Sequence, residues 1–123
     1  MKSEELYKRA ISHWGAESQI FMALEEMAEL SKELCKSRRA GVDPITNHQN
    51  IAEEIADVLN MMGELQCHFN CHKQVSSIRK YKMAKMEKLL NSGPSYIQRV
   101  KNYRDKYNCG LADAVDAVRK GKV

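Results

Sequence analysis

Apolar residues recur every three or four positions along most of the chain, the spacing that places them on one face of an α-helix. One such stripe lies within residues 16–38 and contains Ile20, Ala23, Leu24, Met27, the small Ser31, and Leu34. Another reaches about residue 70 and contains Ile51, Ile55, Val58, Leu59, Met62, Gln66 and Phe69. Both segments are therefore predicted to be amphipathic helices.

Capping residues indicate where two of the helices begin. Ser3 is a candidate cap for a first helix that ends near residue 13, before Gly15. The sequences Thr46-x-x-Gln49 and Asn50-x-x-Glu53 both have the form of a capping box. They predict that the third helix begins near residue 47 or 51.

The last third of the chain is predicted to contain a long helix, a linker and a hairpin. Apolar spacing predicts a fourth helix over about 74–90, and Gly93 and Pro94 mark a linker at 92–95. Residues 96–107 and 111–120 predict a helical hairpin that turns at residues 108–110. We therefore divide the chain into a helical domain at 1–91, the linker 92–95 and an appendage at 96–123.

These elements predict an all-α protein, an antiparallel bundle of four main helices plus the C-terminal hairpin. Short connections between the four helices favour antiparallel neighbours. A core of this size is marginal by itself, so a homodimer or homotetramer is expected.

Composition excludes several other classes of protein. Two Pro and six Gly among 123 residues are too few turn residues for a β-sandwich or barrel. The apolar runs are too short for a transmembrane helix, and the first residues lack the apolar stretch of a secretion signal. Four cysteines are then most simply reduced thiols, and we expect a cytoplasmic protein with no membrane partner.

Charge is divided unevenly along the chain. Residues 1–70 contain 7 Lys/Arg and 12 Asp/Glu, whereas residues 71–123 contain 13 and 4. An acidic half joined to a basic half suits a ligand that needs both metal-binding carboxylates and phosphate-binding cations. Helices whose opposite charges face each other or solvent would give the same division.

Two acidic pairs interrupt the apolar stripes of the second and third helices. They are Glu26-x-x-Glu29 and Glu54-x-x-Asp57, and residues three apart share a helix face. If the two helices pack antiparallel, the four carboxylates can converge. Converging carboxylates repel one another, and an all-oxygen set suits a hard cation such as Mg²⁺ or Mn²⁺. Each pair alone is also common on solvated helices.

The ordered set of motifs resembles the MazG-type all-α nucleoside triphosphate pyrophosphohydrolases, in particular the short stand-alone members of Gram-positive bacteria and their phages. The resemblance covers roughly residues 11–90. It is carried by Trp14-Gly15-x-x-x-Gln19, Glu25-Glu26-Met27-Ala28-Glu29-Leu30, Ile51-Ala52-Glu53-Glu54-Ile55-Ala56-Asp57-Val58 and Val75-x-x-Ile78-x-x-x-Lys82-x-x-Lys85-Met86.

The resemblance implies Mg²⁺-dependent hydrolysis of a nucleoside triphosphate to the monophosphate and pyrophosphate, by water attack at the α–β phosphate linkage. It implies that the metal ligands and catalytic residues are Glu26, Glu29, Glu54 and Asp57. One of these carboxylates, or the adjacent Glu25 or Glu53, would accept the proton of the attacking water.

Four further residues are candidates for substrate binding. Lys82 and Lys85 on the fourth helix could hold the outer phosphates, although both could equally be solvated. Asn60 lies one turn after Asp57 and could reach the sugar or base, or be satisfied by backbone. Trp14 could stack on the base, or pack at a helix end.

The hairpin at 96–123 resembles those of the ribosomal stalk protein and elongation factor Ts in its turn at Gly110 followed by Leu111. We interpret it as a packing or docking appendage. The alternative function for the whole chain is a non-catalytic basic helical module that binds nucleic acid or a host protein, but no base-reading motif is present. A phosphoribosyl-ATP pyrophosphohydrolase would share the acidic motifs without the segment at Trp14 or the lysine pattern.

One further motif, Cys67-His68-x-x-Cys71-His72, has residue types that bind zinc. No second Cys or His cluster completes four ligands, so the sequence does not favour a zinc site.

Overall fold

The chain is all-helical in the computed structural model, which describes residues 2–121. This confirms the all-α part of the predicted fold class. The six helices of the described residues are α1 (Ser3–Trp14), α2 (Ala16–Lys36), α3 (Pro44–Phe69), α4 (His72–Asn91), α5 (Tyr96–Tyr107) and α6 (Leu111–Arg119). Most of these bounds lie within two residues of those predicted from the sequence.

The start of α3 is the exception, and the prediction of residue 47 or 51 is wrong. Asp43 is the N-cap, and its carboxylate accepts hydrogen bonds from the backbone N–H groups of Ile45 and Thr46, each at 3.3 Å. The Thr46 hydroxyl also donates to this carboxylate at 2.6 Å. Pro44 occupies the first helical turn, where its missing N–H costs no hydrogen bond. Thr46 therefore supports the Asp43 cap and does not open a capping box of its own.

The chain divides into two compact units, and the boundary along the chain falls between Ser76 and Ser77. In the first unit, α2 and α3 pack against each other, and α1 contacts both. Gly15 separates α1 from α2 with φ = 91°, a conformation that favours glycine and lets the chain change direction within one residue. The predicted linker at 92–95 stays a prediction.

The interior of the first unit is small and unusually polar. Its buried residues are Ala23, Gln19, Glu33, Asn47 and Glu64, and only the first of these is apolar. Many large apolar side chains of the same unit are instead exposed, among them Leu6, Trp14, Phe21, Leu24, Leu34, Ile45, Ile55, Leu59 and Phe69.

In the second unit, α5 and α6 form the predicted hairpin around a core of their own. Val100, Ala114 and Val118 are buried together. Asn108 ends α5 in the left-handed conformation, with φ = 47°, which directs the chain into the turn before α6.

Helix α4 is largely exposed, and none of its 20 residues is buried. Over the described residues, no helix combines the length and the apolar character that crossing a bilayer requires.

Candidate functional site

A buried side-chain contact fixes how α2 and α3 are aligned. The Asn47 amide donates to the backbone oxygen of Glu33 at 3.1 Å and to its carboxylate at 3.2 Å. Lys36 donates to the other carboxylate oxygen at 3.0 Å. Hydrogen bonding from Lys36, and then from Asn47, lowers the pKa of Glu33 below its ordinary value. Glu33 is therefore an ionised and well-satisfied anchor at this interface.

The acidic residues lie two turns from this anchor on both helices. Glu26 precedes Glu33 by seven residues, and Glu54 follows Asn47 by seven residues. Because the two helices run in opposite directions, these equal steps lead to the same level of the helix pair. The alignment that joins Glu33 to Asn47 therefore brings Glu26 opposite Glu54.

Three of the predicted ligands do come together there. Carboxylate oxygens of Glu26, Glu54 and Asp57 lie within 4.8 Å of one another, and all three residues are half-buried. Glu54 and Asp57 share one face of α3, as their spacing predicted. We call these three residues the acidic cluster.

The fourth predicted ligand, Glu29, is exposed and lies outside the acidic cluster. Its charge nevertheless contributes to the raised pKa of both Glu26 and Glu54. Glu29 is therefore a neighbour of the cluster in the structure, and its role as a ligand stays a prediction.

Burial and the repulsion of neighbouring charges raise the pKa of two members of the acidic cluster, Glu26 and Glu54. Burial raises the pKa of Glu26, with further increases from Asp57, Glu29 and Glu25. Burial also raises the pKa of Glu54, followed by the charges of Glu26 and Asp57. A hydrogen bond with Glu54 partly opposes the increase at Glu26, as when two carboxyl groups share a proton.

An all-oxygen set of this kind matches the donors that Mg²⁺ and Mn²⁺ take in proteins. Mg²⁺ holds neighbouring oxygens about 2.9 Å apart, from its metal–oxygen distance of about 2.1 Å. A cation bound by all three side chains would hold their oxygens at about this spacing. It would also offset the repulsion between them.

The pKa shifts predict that replacing Glu54 stabilises the metal-free fold at neutral pH. A raised pKa means that ionising Glu54 disfavours the folded state, and this penalty is fully present above the raised pKa. It shrinks as the pH falls and disappears below 4.5, the ordinary value. In chelator at pH 7, Glu54→Gln should therefore unfold at a higher temperature than wild type, and the difference should vanish on acidification.

The matched control for that measurement is Glu5→Gln, at an exposed residue of α1. This substitution removes the same formal charge at a position outside the cluster. It should leave the unfolding temperature nearly unchanged both at pH 7 and after acidification. A metal-free wild type that is more stable than Glu54→Gln at pH 7 would contradict the electrostatic account of the cluster.

The predicted substrate-binding residues lie in different places. Asn60 accepts a hydrogen bond from the Tyr7 hydroxyl at 3.0 Å, which links α3 to α1. Trp14 ends α1 with 61% of its surface exposed. It borders an open depression that also contains Glu25, the neighbour of Glu26 in sequence. Lys82 and Lys85 are exposed on the part of α4 that belongs to the second unit.

Sequence reasoning missed the side chains that position the cluster. Glu33 resembles the other acids of α2 in sequence, and only its burial against Asn47 distinguishes it.

Gly63 lies against the ring of Tyr7, where a Cβ atom would be 2.7 Å from Cζ. A lone glycine inside an apolar helical stripe is a signal for such close packing, and Gly63 is the only one within α3.

Comparison of the chain with protein-family models, with curated proteins and with solved structures gave no match.

Proposed function

We propose that this protein is a Mg²⁺-dependent nucleoside triphosphate pyrophosphohydrolase, which converts a ribo- or deoxyribonucleoside triphosphate to the monophosphate and pyrophosphate. The observation that carries the proposal is the approach of Glu26, Glu54 and Asp57 from two helices to within 4.8 Å. The motif resemblance to MazG-type enzymes supplies the reaction class.

Such an arrangement needs a reason, because half-buried like charges repel one another. Helix packing could have separated these carboxylates, but the Glu33–Asn47 contact holds α2 and α3 in the alignment that gathers them. A divalent cation offsets the repulsion. Function at a metal site accounts for the placement better than stability does.

The acidic cluster would hold the Mg²⁺, and the ion would supply positive charge to offset that of the triphosphate and to activate the attacking water. Glu29, exposed beside the cluster, is either a further ligand or an acceptor of the water proton. Its charge and that of the adjacent Glu25 both act on Glu26. A carboxylate near the α-phosphorus would take the proton as the water attacks, and pyrophosphate would leave.

The remaining substrate contacts are assigned by chemistry. Trp14 is exposed beside Glu25 and offers an aromatic face to a base. Asn60, one turn beyond Asp57, offers an amide to the sugar. Lys82 and Lys85 supply positive charge for the outer phosphates.

We also propose that the protein is a homo-oligomer, a dimer or a tetramer in which α4 completes a four-helix bundle. Among the described residues of the first unit, a single apolar residue is buried and many large apolar side chains are exposed. Helix α4 exposes an apolar stripe as well, containing Ile78, Met83, Met86 and Leu89. Patches of this extent mark protein interfaces.

The reaction is proposed to take place in the cytoplasm.

The test is pyrophosphate release from a panel of ribo- and deoxyribonucleoside triphosphates with Mg²⁺. We expect pyrophosphate and the monophosphate in equal amounts from at least one substrate, and no release in chelator. Inorganic phosphate with a diphosphate would place the cleavage at the wrong linkage. No release across the panel, together with tight and salt-sensitive DNA binding, would instead support the non-catalytic basic module.

A further inference from the structure

A second group of ligating side chains lies in the first unit, away from the acidic residues. Glu4 comes from the first turn of α1, Cys67 from the last turn of α3, and His72 is the first residue of α4. Their ligand atoms lie within 4.8 Å of one another. The Cys67 Sγ and His72 Nε2 atoms are 3.8 Å apart.

The turn between α3 and α4 produces this meeting. Asn70 ends α3 in the left-handed conformation, with φ = 49°. The Cys71 N–H then donates to the backbone oxygen of Gln66 at 3.1 Å, which turns the chain back over the end of α3. His72 follows directly and therefore lies beside Cys67.

An unsatisfied buried carboxyl group accompanies these three residues. Glu64 is one turn before Cys67 on α3 and is only 7% exposed. Its Oε2 atom has no hydrogen-bond partner among the described residues. A buried carboxyl oxygen without a partner is costly unless a cation or a water compensates for it.

We propose that Glu4, Cys67 and His72 form a binding site for zinc or a similar divalent transition metal, distinct from the acidic cluster. Sulfur, imidazole nitrogen and carboxylate oxygen are the donors that zinc takes in proteins, whereas Mg²⁺ takes oxygen. In tetrahedral zinc sites, a thiolate sulfur and an imidazole nitrogen lie about 3.6 Å apart. The observed separation of 3.8 Å needs little adjustment.

The remaining groups around the site are compatible with a metal. Lys8 pairs with Glu4 Oε1 at 3.2 Å, and the Glu4 carboxylate has two oxygens, so it can contact both Lys8 and a metal. The Cys67 thiol proton is released to solvent when the sulfur binds. A water completes the fourth position, and the unpartnered Glu64 oxygen provides a buried acceptor near this end of α3. The metal would tie the starts of α1 and α4 to the end of α3.

Cobalt titration of the full, metal-stripped chain tests the proposal, because cobalt bound to a thiolate gives a charge-transfer absorption in the near ultraviolet. We expect one equivalent of cobalt to bind and to produce that absorption. Added zinc should displace the cobalt and remove the absorption. Cys67→Ser should abolish the absorption. Glu4→Gln and His72→Gln should each weaken binding by at least about tenfold, since even indirect partners of a metal are worth this much.

The matched controls are Cys35→Ser, Cys71→Ser and His68→Gln, which change the same residue types outside the three ligands and should keep the absorption. Glu54→Gln should keep it too, which separates this proposal from the magnesium-dependent reaction. If the absorption is absent, survives Cys67→Ser, or disappears in Cys71→Ser, the site as proposed is wrong.

A measurement on the wild-type chain avoids any dependence on how the variants fold. Zinc should slow the alkylation of Cys67, mapped by mass spectrometry, by at least about tenfold. Alkylation of the exposed Cys35 should not change. Equal rates at Cys67 with and without zinc would overturn the proposal.

Discussion

Replacing Glu54 by glutamine should lower kcat for pyrophosphate release by about 10²- to 10³-fold, the loss that follows removal of one strong electrostatic contact to a reacting group. Glutamine keeps the shape of the side chain but removes the charge that Glu54 contributes to the acidic cluster. Asp57→Asn should have an effect of similar size, because both side chains lie within the same 4.8 Å group. Initial rates at saturating nucleotide and Mg²⁺ give the measurement.

Two comparisons separate this loss from unfolding. Glu5→Gln should keep the wild-type rate, since its exposed carboxylate on α1 lies outside the cluster. Glu54→Gln itself should be more stable than metal-free wild type at pH 7, so lower activity is expected together with higher stability. Retention of the wild-type rate by both Glu54→Gln and Asp57→Asn would refute the proposed reaction site.

Replacing Gly63 by alanine should lower the free energy of unfolding by about 1–3 kcal/mol, the usual cost of overpacking. The added Cβ would lie 2.7 Å from Cζ and 3.0 Å from Cδ2 of the Tyr7 ring. The ring cannot move away freely, because its hydroxyl donates to Asn60 at 3.0 Å. Urea unfolding of the two proteins measures the difference.

The effect of Gly63→Ala on the free energy of unfolding should change sign once the Tyr7 ring is removed. In a Tyr7→Ala background the added methyl group meets no aromatic ring, and alanine is favoured over glycine inside a helix by about 1 kcal/mol. Gly63→Ala should then be stabilising. A destabilisation of equal size in both backgrounds would show that contact with Tyr7 is not its cause.

Local patterns predicted most of the helices, because each amphipathic stripe records which face its own helix buries. The start of α3 was missed where two local signals compete. Asp43-Pro44 resembles a loop in composition, yet it caps the helix, while Thr46 has the form of a cap and lies inside it. Which of two candidate residues caps a helix depends on the backbone geometry around them more than on residue type.

The meeting of Glu26 with Glu54 and Asp57 followed from sequence only under the assumption that α2 and α3 pack antiparallel. Which acid remains outside the group could not be predicted, because Glu29 has the same spacing pattern as its partners. The group around Cys67, in contrast, could not be predicted from local spacing. Its third ligand, Glu4, is 63 residues away in sequence, so no local motif could complete the set.

The hydrogen bonds between Asn47 and Glu33 also determine which changes of chain length the protein tolerates. Because this contact sets the alignment of α2 and α3, the segment 37–42, which precedes the Asp43 cap, can gain or lose a residue without moving the carboxylates. One residue inserted between Asn47 and Glu54 would instead rotate everything beyond it by about 100° around the helix axis. Evolution can therefore vary the connecting segment, whereas the seven-residue interval on each helix is a fixed length.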